Sequence, residues 1–147
     1  MLPVYGKQVI AISPQSVTNA ATATGNIDTQ GFDGYATIDI AMATSNNVTN
    51  NPSVLKLAEC DTTVVTSFAD ITAFVGDGTG GFTIPNAVTS GVWGAKFNVD
   101  LRGRKRYLRV SISPLTTQIL SVVANLFKGD EAPVGTTLAN VKAIVNG

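Results

Sequence analysis

Trp93-Gly94-Ala95-Lys96-Phe97-Asn98-Val99-Asp100-Leu101-Arg102 alternates, residue by residue, between apolar side chains and small, polar or charged ones. Trp93, Ala95, Phe97, Val99 and Leu101 fall on one face, and Gly94, Lys96, Asn98, Asp100 and Arg102 on the other. Successive side chains along a strand point to opposite faces, so the stretch predicts a strand with one buried and one solvated side. Arg102-Gly103-Arg104-Lys105 then reads as a turn. It leads into Arg106-Tyr107-Leu108-Arg109-Val110-Ser111-Ile112, where Leu108, Val110 and Ile112 share a face before Pro114 ends the run. The two arms predict a hairpin whose core is Trp93, Phe97, Val99, Leu101, Leu108, Val110 and Ile112.

Working outward, the same period of two recurs. Tyr35 to Met42 places Ala36, Ile38, Ile40 and Met42 on one face and Tyr35, Thr37, Asp39 and Ala41 on the other. A polar loop from Thr44 to Pro52 follows, and Val54 to Glu59 predicts a strand returning antiparallel to Tyr35–Met42. Asp61 to Val65 continues extended, with Ser67 to Ile71 as a short element. Ile119 to Phe127 is apolar on both faces at Val122-Val123 and Leu126-Phe127, which suits a central strand or a subunit contact. Towards the amino terminus, Lys7 to Ser13 reads as a strand ending at Pro14. Ser16 to Thr24 is Thr- and Ala-rich, and Gly25-Asn26 reads as a turn. The last residues fit helix and strand equally.

Seven or eight short strands with turn signals between them predict an all-β fold. The expectation is a single antiparallel β-sandwich, jelly-roll-like, spanning residues 1–147 with extended terminal arms. Residues 1–15 form an amino-terminal arm or edge strand, and 134–147 a peripheral carboxy-terminal arm. A chain of 147 residues is long enough for one core.

Composition narrows the function. The chain contains no histidine, the usual general base near neutral pH and the commonest metal ligand. Ser-His-Asp and Cys-His machinery and imidazole-ligated zinc are thereby excluded. The expectation is no enzyme, no catalytic residue, no metal and no cofactor. Asp28, Asp33 and Asp39 could pair for glycoside chemistry, but no aromatic sugar platform accompanies them. The glycine-rich run Gly76-Asp77-Gly78-Thr79-Gly80-Gly81 lacks a following Gly-Lys-Ser/Thr, and Phe82-Thr83-Ile84-Pro85 cannot open a helix, so it reads as a surface loop. Cys60 stands alone and reads as a small buried apolar side chain. Asn47-Val48-Thr49 matches a glycosylation acceptor by chance, because Met1 to Gly6 does not read as a secretory signal. No apolar run approaches the ~20 residues of a membrane helix.

Ten Lys and Arg balance ten Asp and Glu, giving zero net charge. Neutrality fits a subunit meant to associate and does not fit a dedicated nucleic-acid binder. Half of the positive charge lies in Arg102, Arg104, Lys105, Arg106 and Arg109. This cluster reads as the partner-binding site: an acidic surface on another protein, or nucleic acid, against a solvated turn pairing with carboxylates such as Asp100. A protein partner is the expectation, since only Tyr107 stands close enough to stack on a base.

Asp28-Thr29-Gln30-Gly31-Phe32-Asp33, the amphipathic strand after it, Leu55-Lys56-Leu57, Ser67-Phe68-Ala69-Asp70-Ile71 and Arg104-Lys105-Arg106-Tyr107-Leu108-Arg109-Val110 occur in an order that resembles a family of small virion proteins of tailed bacteriophages. The resemblance spans residues 28 to 128. It implies a β-sandwich that attaches to the capsid exterior as a homo-oligomer and stiffens the shell, with the major capsid protein as partner and the virion as location. A trimer is favoured over a dimer by analogy with three-fold sites on shells. The polar loop is longer and richer in Gly and Asn than is usual in that group. Rival expectations are a tail, head–tail joining or fibre protein, and a carbohydrate-binding module.

Overall fold

In the computed structural model, which describes residues 6–43, 51–86, 93–129 and 141–147, the alternating stretch forms strand β6 (Trp93–Asp100). Around it, in chain order, lie β1 (Gly6–Val17), β2 (Ala23–Asp28), β3 (Tyr35–Met42), β4 (Pro52–Cys60), β5 (Ala69–Val75), β7 (Tyr107–Pro114), β8 (Gln118–Phe127) and β9 (Val141–Asn146). A single 3-10 turn, Val65–Ser67, interrupts the strands among the described residues. Two sheets result. One has five strands in the order β1-β8-β3-β6-β9, the other four in the order β2-β7-β4-β5.

The pairing has a simple logic. β1 pairs with β8, β2 with β7, β3 with β6 and β4 with β5, all antiparallel. Contacts β3–β8 and β4–β7 then weld these four pairs into the two facing sheets. This is the double Greek key of a jelly roll, so the all-β sandwich expected from the sequence is the fold. β9 is an addition to it. It runs parallel to β6 and extends the far edge of the five-stranded sheet. The sandwich is therefore not wholly antiparallel, and the carboxy-terminal end is a strand of the sheet rather than a peripheral arm. Residues 134–140 of that expected arm, the polar loop at 44–50 with Asn47-Val48-Thr49, and residues 1–5 lie outside the described residues.

All seven residues expected in the core are buried between the sheets. The hairpin that was to hold them is not present. β6 lies in the five-stranded sheet and β7 in the four-stranded one. Alternation dictates which face of a strand is apolar, and two inward faces satisfy it as well across a sandwich as along a hairpin. Leu101 is itself buried, continuing the inward face of β6, and the chain crosses to the opposite sheet after it. Gly103 makes the crossing tight. Its φ of +78° is a left-handed conformation that a side chain would strain. The expected β3–β4 pairing fails in the same way, because β3 pairs with β6 and β8 while β4 pairs with β5 and β7.

Two expected strand ends also move. β1 continues through Pro14 to Val17, with register shifts between Ile10 and Ile12 and between Ile12 and Gln15 that leave Pro14 without a ladder partner. Gly25-Asn26 is not a turn but the middle of β2. Gly25 is required there because a Cβ would come within 2.3 Å of the Ala11 carbonyl oxygen. Its bare backbone lets β1 and β2 close one side of the sandwich. β8 lies between β1 and β3 with Leu120, Val122, Ala124 and Leu126 packed in the core, while Ile119 and Phe127 on its other face are exposed.

Candidate functional site

The connection from β6 to β7 carries the basic cluster to one pole of the sandwich. It is tied there by backbone bonds. Leu101 N donates to Gly34 O at 2.9 Å, and Thr29 N donates to Arg106 O at 3.0 Å. The ends of β2, β4 and β6 and the start of the β4–β5 connection surround it, and they bring carboxylates: Asp28, Glu59, Asp100 and Asp61.

Each cation of the cluster meets a partner. Arg102 forks onto Asp100, with Nε to Oδ1 at 2.9 Å and Nη2 to Oδ2 at 2.7 Å. Its Nη2 also donates to the Tyr35 hydroxyl at 2.6 Å. Arg106 grips Asp28 in the same two-pronged way, at 2.9 and 2.8 Å, and lies over the Tyr107 ring. Arg104 stands 3.6 Å from Glu59, whose other oxygen accepts the Lys105 backbone N–H at 3.1 Å. The Lys105 ammonium lies 3.8 Å from Asp61. Arg104 is only partly exposed for this reason. Four positive charges thus face four carboxylates.

The two bidentate pairs mark themselves in proton affinity. Hydrogen bonds from the Arg106 guanidinium hold the Asp28 carboxyl at about 2, and those from Arg102 hold Asp100 at about 2. Arg106 is raised in turn by its bonds to Asp28. Planar guanidinium matches carboxylate geometry in a way an ammonium cannot.

Arg109 is different. It is 9% exposed on the outer side of β7. Its Nε donates to Asn26 Oδ1 at 2.8 Å, its Nη1 to Val65 O at 3.4 Å, and its guanidinium lies 3.8 Å from the Phe68 ring centroid. It fastens the β4–β5 connection across the sheet and is not displayed to a partner. Val64 and Val65, held out by that clamp, are exposed apolar residues that the sequence pattern did not single out.

Elsewhere among the described residues the surface offers little chemistry. Asp39 pairs with Lys96 at 3.7 Å and Lys56 with Asp70 at 2.9 Å. Cys60 is buried, and its sulfur accepts the Thr62 backbone N–H at 3.4 Å. Asp77, at φ +55°, closes its own loop by accepting from the Ile84 N–H at 2.9 Å. Among the described residues, no group of three or more His, Cys, Asp or Glu side chains is placed to hold a metal. An open groove of about 400 Å³ at the β1–β2 connection is lined by Gln15 to Thr18 and Ala21 to Thr24, none of them titratable. Exposed apolar side chains gather instead on the outer face of β1 and β8, at Ile10, Ile119 and Phe127. No protein-family model and no curated protein matches this chain.

Proposed function

We propose that the protein is a non-catalytic structural component of a tailed-bacteriophage virion, attached to the major capsid protein on the outside of the shell as a homo-oligomer and cementing neighbouring capsomers. The observation that carries this reading is the strand order. Jelly rolls recur in viral shells, in lectins and in cupins, and sites rather than folds decide among such uses. Cupin-like metal chemistry needs ligands that a chain without histidine does not supply. A sugar-binding module needs exposed ring platforms, and the single Trp, Trp93, is buried with its Nε1 donating to Pro85 O at 3.0 Å. What this jelly roll does display is strand edge and exposed apolar side chains, the means by which structural subunits join.

The charged pole supports a protein partner over nucleic acid. Carboxylates already neutralise its cations, so few counterions would be released from DNA on binding. The test is to mix the purified protein with empty mature capsids of the phage whose genome encodes it, and to count bound copies. Saturable binding at a fixed number per capsid is expected, with binding to duplex DNA weaker than micromolar at physiological salt. Absence of binding to mature capsids, or sub-micromolar DNA binding that is lost in Arg104→Glu/Arg106→Glu, would overturn the exterior cement role.

A further inference from the structure

The five-stranded sheet ends at β1, and among the described residues no strand pairs with the outer side of β1. An unpaired edge presents a row of free N–H and C=O groups, which proteins commonly blunt with charge, proline or bulges. Here those devices are confined to one half of the strand. Pro14 and both register shifts lie beyond Ile10, whereas Gly6 to Ile10 pairs without interruption against Phe127 to Val123. The only charge in the regular half is Lys7.

Gly6, Gln8 and Ile10 share the outer face, because they stand opposite the outward residues Phe127, Asn125 and Val123. Ile10 is 64% exposed and Phe127 38% exposed. The Phe127 ring leans towards Gly6, where a Cβ would lie 3.5 Å from it. A bare notch beside a half-exposed ring therefore sits one short step along the edge from an exposed isoleucine.

We propose that the Gly6–Ile10 half of β1 pairs antiparallel with the same segment of a second copy, about a two-fold axis at Gln8, so that two five-stranded sheets become one. With the axis there, Ile10 of each copy falls opposite Gly6 of the other, enters the notch and covers the Phe127 ring. Lys7 falls opposite Val9, so the ammonium groups are not opposed. An axis at Lys7 would oppose them, and an axis at Val9 would run the pairing into the register shift after Ile10. The contact is self-complementary and closes on itself, giving a dimer rather than a fibre. It takes up the homo-oligomer part of the proposed function. The sequence resemblance favours a trimer there; the edge geometry favours a two-fold pair.

The test uses the whole chain in the absence of capsids, so this inference and the cement role can fail independently. Light scattering at tens of micromolar should return the dimer mass. Under mild oxidation Gln8→Cys should yield a reducible covalent dimer, because facing Cα atoms in an antiparallel pair lie about 4.5–5.5 Å apart, within disulfide reach. Ile10→Cys alone should not cross-link, but should do so when Gly6→Cys is present in the same chain. Ile10→Lys should weaken dimerisation about a hundredfold by placing a charge in the joint, with its melting midpoint at low concentration unchanged. A monomer mass, a dimer that Gln8→Cys fails to link, or a dimer indifferent to Ile10→Lys would overturn the assignment.

Discussion

Phe97 is completely buried, with the Phe74 ring 5.2 Å away and the Phe82 ring 5.5 Å away, centroid to centroid. Tilted and edge-on contacts of this kind add to the burial of area. Phe97→Ala is expected to cost about 3–5 kcal/mol, because a fully buried ring and its contacts are lost and a cavity is left. Denaturant unfolding of wild type and mutant checks it, and an unchanged midpoint would remove Phe97 from the core. Asp28 and Asp100 set a pH dependence. Both are held at about 2 by their arginines, against an ordinary 3.8, so the unfolded chain binds their protons more readily than the folded one. Their contribution is fully present above the unfolded value and is lost as pH falls from about 4 towards 2. Carboxyl titration by NMR should give midpoints near 2. Asp28→Asn combined with Asp100→Asn should flatten the loss of stability across that window.

At the scale of strands and loops, Gly25 and Arg109 carry the sharpest expectations. Gly25→Ala would drive a methyl group into the Ala11 carbonyl, and should cost about 1–3 kcal/mol by forcing β1 away from β2. Thermal melts check it, and a neutral result would show that the two strands can part freely. Arg109→Leu removes two hydrogen bonds and the stack on Phe68. It should cost about 1–3 kcal/mol and speed amide exchange at residues 61–68 without touching β5. Strand faces were legible in the sequence, since a side chain's face is a local property that alternation reports directly. Strand partners were not. The Leu101–Arg106 connection is short enough for a hairpin, yet its first residue bonds to Gly34 beside β3 and its last to Thr29 beside β2, so it spans the two sheets. The candidate site was legible in the same partial way. The cations stood together in sequence, while Asp28, which Arg106 grips, and Glu59, which accepts the Lys105 backbone N–H, lie 78 and 46 positions away. β9 escaped because Val141, Ala143 and Val145 fit a strand while Leu138, Val141 and Val145 fit a helix equally well.

Across the molecule, the nested pairing of β1 with β8, β2 with β7 and β3 with β6 has a consequence for how the chain can be made. A ribosome delivers β1 first, yet its ladder partner Gln118–Phe127 emerges more than a hundred residues later. β2 waits in turn for β7, and β3 for β6. Only β4 and β5 meet soon after synthesis, so closure runs from the middle of the chain to its ends. Such non-local pairing makes folding slow, because loop entropy is lost before contacts repay it. A chain stopped after Leu115 is expected to be fully protease-sensitive rather than partly folded, and limited proteolysis of that truncation checks this. The nascent protein must therefore keep unpaired Thr- and Val-rich strands in solution until β8 is released. Its sparse charge and neutral balance, suited to association once folded, make that interval the period in which copies are most prone to join wrongly.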